Sequence, residues 1–253
     1  MQSRLGRVGS SIIYFPSTGS TNEVAATLAE NNPCEGAVVI AGRQTAGRGR
    51  RGRGWFSPPG SGLYVSVVLM PARSRHDGVR ATKLLTLAAG VALAEAVATA
   101  TGLSVDVKWP NDLYIERRKL AGILAEAGGG GAAERIVLGY GINVGPMAYP
   151  PELRDRATSL ESELGRHVDR ALVLAESLAS LARRYSDLLD GRFDAILDAW
   201  RARAPAATGA RVTWATASGV ASGVTAGIDD EGALLVLVGD RLERVIAGEV
   251  TWV

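Results

Sequence analysis

The sequence predicts an α/β fold: one large domain in which apolar strands alternate with helices, followed by a small all-β module. Short apolar runs that read as strands are separated by segments with apolar residues at helical spacing. From residue 210 onward only short strand-like runs divided by turn residues remain. A length of 253 residues allows a full-sized core and a small appendage, since domains commonly run about 100–200 residues.

In chain order, Ser20-Thr21-Asn22-Glu23 precedes Val24, Ala25 and Leu28, so Ser20 can cap a helix whose Glu23 reaches back to the cap N–H. Residues 36–41 form a short apolar strand. Residues 42–54 hold five Arg, five Gly and no acid, a composition unsuited to a stable amphipathic element because glycine is costly in helix and strand alike. A strand follows over 62–70, stopped by Pro71. Leu84, Leu87, Val91, Ala94 and Ala98 then recur at helical spacing, and strands are expected at 104–108, 120–126 and 136–144. Residues 114–119 read as a hairpin-like turn between the first two, and the glycines of 128–131 break the chain before the third. Asp169 caps a long helix carrying Leu172, Ala175, Leu178, Ala179, Ala182 and Tyr185 on one side, and Phe193, Ile196, Leu197 and Trp200 mark another. The Ala/Pro/Arg segment 201–209 is the expected boundary, dividing the chain into 1–207 and 208–253. Five short strands in the last roughly 45 residues suggest a small barrel, close to the lower size limit for folding alone and so expected to lean on the main domain.

Composition narrows the function. Hydrophobic residues at 47% and charged residues at 21% describe a globular chain rather than a disordered one. With 28 basic and 26 acidic residues the net charge is only +2, so any affinity for phosphate must be local. Cys34 is the single cysteine, which rules out an internal disulfide and the four-sulfur zinc sites and points to a reducing, cytoplasmic setting. Residues 1–11 lack the apolar core of a signal peptide, and no run approaches 18 uninterrupted apolar residues, so no membrane partner is expected. The most apolar stretch, 84–98, contains Glu95 and reads as a buried helix. His76 and His167 lack metal-ligand spacing.

Gly47-Arg48-Gly49-Arg50-Arg51-Gly52-Arg53-Gly54 is the most informative stretch. Glycines let a backbone approach a ligand, and guanidinium forks match phosphate oxygens two at a time. It is not a G-x-x-x-x-G-K-[ST] phosphate loop. Alone it reads equally as a solvated basic loop or an RNA-binding arginine/glycine segment. Its placement between two strands and beside Trp55, Phe56 and Pro58 favours an anchored loop. Lys108-Trp109-Pro110-Asn111-Asp112 puts an amide and a carboxylate at a strand end, as a site or as an Asx turn. Asp112 has the chemistry of a Mg²⁺ ligand for a nucleotide, because magnesium takes only one or two protein carboxylates. Lys119, at the edge of the apolar strand from Leu120, is either a cation for a carboxylate or phosphate or an ordinary surface lysine. Gly139, Gly141 and Asn143 end another strand, with room for close ligand approach and one donor–acceptor side chain.

These clusters together resemble the biotin–protein ligase family. The matching stretches are Ser20-Thr21-Asn22, Gln44-Thr45-Ala46 running into 47–53, Trp55-Phe56-Ser57-Pro58, Lys108-Trp109-Pro110-Asn111-Asp112, Arg118-Lys119-Leu120-Ala121-Gly122-Ile123-Leu124 and Gly141-Ile142-Asn143-Val144. The tail from Arg211 resembles the family's small SH3-like barrel. The resemblance implies a mixed β-sheet flanked by helices, similar to the catalytic core of class II aminoacyl-tRNA synthetases and the lipoate ligases. It implies that Ser20, Thr21, Asn22, Gln44 and Gly122 line a biotin pocket, and that Arg48, Gly49 and Arg50 bind the biotin carboxylate and the adenylate phosphate. Lys119 would contact the same carboxylate and the α-phosphate. Arg51, Arg53, Trp55, Lys108, Asn111 and Asn143 would serve the ATP side, and Asp112 would help place Mg²⁺. Leu124 and the strand around Val65 and Val67 are the expected apolar walls.

The implied catalytic group is Lys119, Arg48, Arg50 and Asp112. The implied activity is formation of biotinyl-5′-AMP from biotin and ATP, with release of pyrophosphate, then transfer to a lysine of a biotin carboxyl carrier protein. Bifunctional members place a DNA-binding domain of about 60 residues before the Ser-Thr-Asn segment, whereas 19 residues precede Ser20 here, so DNA is not an expected partner. The family includes monomers and homodimers. A lipoate ligase is the nearest rival reading, and an arginine/glycine RNA-binding module the rival from another class.

Overall fold

The computed structural model describes residues 2–31, 35–127, 135–216, 219–246, 248 and 250–253; Cys34 and the expected break at 128–131 lie outside them. A short helix α1 (Gln2–Leu5) leads into strand β1 (Ser11–Phe15), helix α2 (Thr21–Asn31) and strand β2 (Ala37–Ala41). Strand β3 (Gly62–Leu69), helix α3 (Gly78–Thr101) and strands β4 (Asp106–Lys108), β5 (Asp112–Ile115), β6 (Arg118–Ala127) and β7 (Ile136–Asn143) follow. Helices α4 (Leu160–Leu164), α5 (Arg170–Leu189) and α6 (Phe193–Arg201) come next. The chain ends in strands β8 (Thr208–Thr216), β9 (Gly219–Ile228), β10 (Leu234–Val238), β11 (Arg241–Val245) and β12 (Val250–Trp252).

Strands β1 to β7 make one seven-stranded sheet in the order β1-β2-β3-β7-β6-β5-β4. Only the β1–β2 pair is parallel, so the sheet is mixed, as expected. Alternation along each strand sorts side chains between two faces. Val65, Val67, Leu138, Tyr140, Ile142 and Ile123 enter the large core with α3, α5 and α6, whereas Val39, Val68 and Val137 meet Ala25 and Ala29 of α2. This corrects the expectation that Val65 and Val67 wall a ligand pocket: both are fully buried on the α3 side. The intervening Ser66 faces α2 instead.

Helix α3 is long and apolar enough by composition to cross a bilayer, yet about two-thirds of that window is buried inside the chain, between the sheet and α5. Asp77 caps it by accepting from the Arg80 N–H, and Gly102 ends it at φ 81°. Asp169 caps α5 through the N–H groups of Ala171 and Leu172, as its sequence indicates. Strand β1 was not legible: it is an edge strand whose residues alternate between exposed and half-buried. The expected turn over 114–119 is shorter than predicted, because 112–115 form β5 and Glu116, at φ 55°, carries the reversal.

The last five strands form an antiparallel sheet, β11-β10-β9-β8-β12, which shares the main core through Trp214, Leu234 and Val236. The Trp109 indole N–H donates to the Gly232 carbonyl at 3.0 Å, and Lys83 pairs with Glu231 at 2.8 Å. Gly232 has φ 80° and packs so closely on α3 that a Cβ would lie 2.8 Å from a Leu87 methyl. The tail therefore leans on the main domain through a close backbone contact.

Candidate functional site

A cleft of about 900 Å³ opens on the α2 face of the sheet, where β6 and β7 carry glycine instead of side chains. Gly139, Gly141 and Gly122 share that face. A Cβ on Gly139 would lie 2.0 Å from Asn22 Oδ1, and one on Gly141 would lie 2.3 Å from Trp55 Nε1. The floor is thus flat because other residues already occupy the space a side chain would need.

One end of the cleft is polar and buried. Helix α2 begins where Val24 N–H donates to the Ser20 carbonyl, and the next orphan donor, the Thr21 N–H, is taken by Gln44 Oε1 at 2.8 Å. Gln44 also accepts from the Thr21 hydroxyl, and its amide donates to Ser57 Oγ. Ser66 Oγ lies 2.6 Å from Asn22 Oδ1 and 2.8 Å from Thr21 Oγ1. Asn22 Nδ2 donates to Glu126 Oε2 at 2.7 Å. Glu23, expected to reach back to the helix cap, instead faces Arg48 at 3.4 Å.

The arginine/glycine segment is a tight hairpin. Trp55 N–H donates to the Gly47 carbonyl and Gly49 N–H to the Arg53 carbonyl, with Arg48 and Gly54 paired between them. Arg51 sits at the tip at φ 58°. The fold separates the arginines. Arg50 donates to Asn111 Oδ1 at 3.3 Å, Arg51 reaches toward the second sheet near Gly248, and Arg53 is exposed at the cleft rim. Arg48 turns the other way, onto Glu126 at 3.1 Å.

At the opposite end the sheet brings Lys119 and Asp112 together, Nζ to Oδ1 at 2.7 Å. Their pairing depends on a bulge. Asp112 is opposite Gly122 and Leu113 opposite Ala121, but Tyr114 is opposite Lys119, so Leu120 is the extra residue. In a regular strand Lys119, three residues from Gly122, would point to the other face; the bulge re-aims it into the cleft. Lys119 Nζ also lies 5.3 Å from the Trp55 ring centroid. Trp55 Nε1 is buried with no acceptor among the described residues. Asn111 is locked to β6: its Nδ2 donates to the Ile123 carbonyl, and its own carbonyl accepts from the Ile123 N–H.

Asn143 is buried, donating to the Thr158 carbonyl at 2.9 Å, and Lys119 exchanges backbone hydrogen bonds with Arg156 and Thr158. Its side chain therefore ties the 156–158 segment beside Lys119. Burial pushes the Tyr149 phenol up to about 12, so it remains a donor to the Thr158 carbonyl. Lys108 sits between the rings of Tyr114 and Trp252, at 4.8 and 5.3 Å from their centroids.

Apart from Val65 and Val67, every site residue singled out in the sequence lines this cleft. Arg50, Asn111, Asp112, Lys119 and Trp55 gather at one end; Ser20, Thr21, Asn22 and Gln44 gather at the other. Arg48, expected beside Lys119, has its guanidinium at the Glu126 end, whereas Lys119 Nζ lies beside Gly122, four positions back along β6. Sequence reasoning missed Ser66, Glu126, Tyr149 and Trp252. Glu126 left a trace, since it continues the alternation of Gly122 and Leu124. No group of three His, Cys, Asp or Glu able to hold a metal occurs among the described residues.

Residues 14–143 match the biotin/lipoate A/B protein ligase family, and residues 208–251 match the biotin protein ligase C-terminal domain. The chain is 37% identical over 246 residues to the bifunctional ligase/repressor BirA of Bacillus subtilis, covering 96% of this chain and 74% of that protein. It is also 37% identical to the biotin--[acetyl-CoA-carboxylase] ligase of Mycobacterium tuberculosis, over 92% of this chain and 85% of that one. Among solved structures, the biotin protein ligase of Aquifex aeolicus in complex with biotin and ATP superposes with a TM-score of 0.82 at 30% identity, covering 96% and 98% of the two chains.

Proposed function

Because the chain belongs to the biotin/lipoate A/B protein ligase family, we infer that its cleft activates biotin with ATP and passes it to a protein lysine. It is a biotin–protein ligase. Biotin carboxylate attacks the α-phosphorus of ATP, giving biotinyl-5′-AMP and pyrophosphate; the ε-amine of the acceptor lysine then attacks the acyl carbon and AMP leaves. The lipoate reading is not favoured, since the Mycobacterium tuberculosis and Aquifex aeolicus relatives are named for biotin.

The observation that carries the assignment of roles is the separation of the cleft into a neutral hydrogen-bonding end and a cationic end. Biotin's rings need an apolar slot with a few placed polar groups. The Thr21–Gln44–Ser66–Asn22 network beside Leu124 supplies them on the glycine floor. Biotin's carboxylate then extends toward Lys119 and Arg50. Two anions must approach each other there, and fixed cations in a closed site offset that repulsion with no reorganisation at the moment of reaction. Asp112 holds Lys119 on the cleft face, and Asn111 holds Arg50. Lys108 stands on the nucleotide side beside Trp252.

The donor set fits magnesium only as an ion that arrives on the triphosphate, with Asp112 as its one protein carboxylate. There it would neutralise phosphate charge. The acceptor is the lysine of a biotin carboxyl carrier protein, supported by relatives named for acetyl-CoA carboxylase. A chain with a single cysteine suits a reducing, cytoplasmic setting.

Biotin-dependent exchange of labelled pyrophosphate into ATP tests the reading. Exchange that requires biotin, is not supported by lipoate and stops on chelation of magnesium is expected; exchange that proceeds without biotin would overturn it.

A further inference from the structure

The Arg48 side chain does not stand where an anion-binding arginine should. Its Nη2 lies 3.1 Å from Glu126 Oε2 and its Nη1 3.4 Å from Glu23 Oε1, two carboxylates on one guanidinium. The same Glu126 oxygen accepts from Asn22 Nδ2 at 2.7 Å. Glu126 therefore sits at a three-way junction: β6 carries it, the arginine/glycine hairpin meets it through Arg48, and the first turn of α2 meets it through Asn22. Asn22 continues into Ser66 and Thr21, the polar end of the cleft.

We propose that Glu126 is a positioning residue for the biotin reaction: it uses Arg48 as a strap to hold the hairpin closed and couples that closure to the orientation of Asn22. The proposal rests on the biotin-ligase reading for its catalytic consequence, but the strap itself is read from the contacts of Glu126 with Arg48 and Asn22. Arg48's charge is spent on Glu126 and Glu23, which leaves Arg50 and Lys119 as the anion-handling pair. The junction is partly exposed, with side chains 42% and 34% accessible for Arg48 and Glu126, so the ion pair alone is weak. Its effect comes from location. The hairpin has its own backbone pairing and a second side-chain tie from Arg50 to Asn111, but no apolar anchor before Trp55, so a strap at Arg48, near its base, shifts how often it opens.

Glu126→Gln keeps an acceptor for Asn22 and removes the charge that holds Arg48, so it separates the two contacts. Arg48→Ala removes the strap from the other side, and both positions are accessible enough for the variants to fold. Trypsin cleavage within the hairpin, measured on the full chain without ligands, is expected to speed up roughly two- to fivefold in either single variant. The double variant is expected to be no faster than the faster single, because both remove one contact. With biotin and ATP present, Glu126→Gln releases free biotinyl-adenylate several-fold faster, while its single-turnover pyrophosphate release at saturating biotin stays within about twofold of wild type. Glu126→Ala, which also frees Asn22, raises the biotin KM in addition. Wild-type cleavage rates in Glu126→Gln, or effects that multiply in the double variant, would overturn the strap. Absence of biotin-dependent exchange in the unmodified chain would instead sink the catalytic reading and leave the cleavage result standing.

Discussion

Lys119 and Asp112 face each other across β5 and β6 at 2.7 Å only because one extra residue, Leu120, is inserted between the registers of the two strands. Leu120 goes fully into the core, and Lys119 is turned into the cleft. One packing event thus both buries Leu120 and places the Lys119 ammonium in the cleft.

Lys119→Ala should therefore disable chemistry with little cost to the fold. Removing one preorganised cation from a site of developing negative charge costs about 2–4 kcal/mol of transition-state stabilisation, or roughly two to three decades in rate. Single-turnover pyrophosphate release should fall by that amount while the melting temperature moves by only a few degrees. Release at the wild-type rate would remove Lys119 from the mechanism.

Gly139→Ala should damage the biotin end selectively. The new Cβ would sit 2.0 Å from Asn22 Oδ1, inside contact distance, so Asn22 must leave Ser66 and Glu126. Overpacking of this kind costs about 1–3 kcal/mol. Calorimetric titration should show biotin binding weakened tenfold or more, and unchanged binding would mean that Asn22 does not shape the pocket.

Trp252→Ala should weaken ATP binding without touching biotin binding in the absence of nucleotide. Trp252 packs over Lys108 from the second sheet, at a distance where a cation–π contact is worth about 0.5–2 kcal/mol. The ATP KM should rise several-fold, and an equal rise in biotin Kd would show instead that the sheets have moved apart.

Acid should unlock α3 from α5. Burial tends to push the Glu95 carboxyl up, but hydrogen bonds and charge from Arg184 and Arg183 outweigh it and hold it below its ordinary value of 4.5. A carboxyl depressed in the folded state stabilises fully above its unfolded value and loses that contribution as pH falls through the folded one. Glu95→Gln should thus be less stable than wild type at pH 7 by about 1–3 kcal/mol, and the gap should shrink as pH drops below the ordinary value of 4.5. A gap that stays constant from pH 7 to pH 3 would show that the loss is steric.

What the sequence determined by itself was the inventory: the alternating elements, the cap at Asp169, the five strands of the tail, and most of the polar residues that line the cleft. These are local properties, set by periodicity, glycine content and residue chemistry within a few positions, and the family resemblance drew on the same short motifs. Edge strand β1 escaped because half-exposed residues carry little periodic signal, and β5 because its four residues look like part of a turn. The tertiary structure alone decided which of those residues work together. A bulge opposite Tyr114 put Lys119 with Asp112, alternation sent Val65 and Val67 away from the cleft and Ser66 toward it, and Glu126, 78 residues from Arg48 in the chain, took the guanidinium that the family resemblance had assigned to an anion. Which face a side chain takes depends on register summed over paired strands, and one inserted residue reverses it; no window of sequence contains its partner strand.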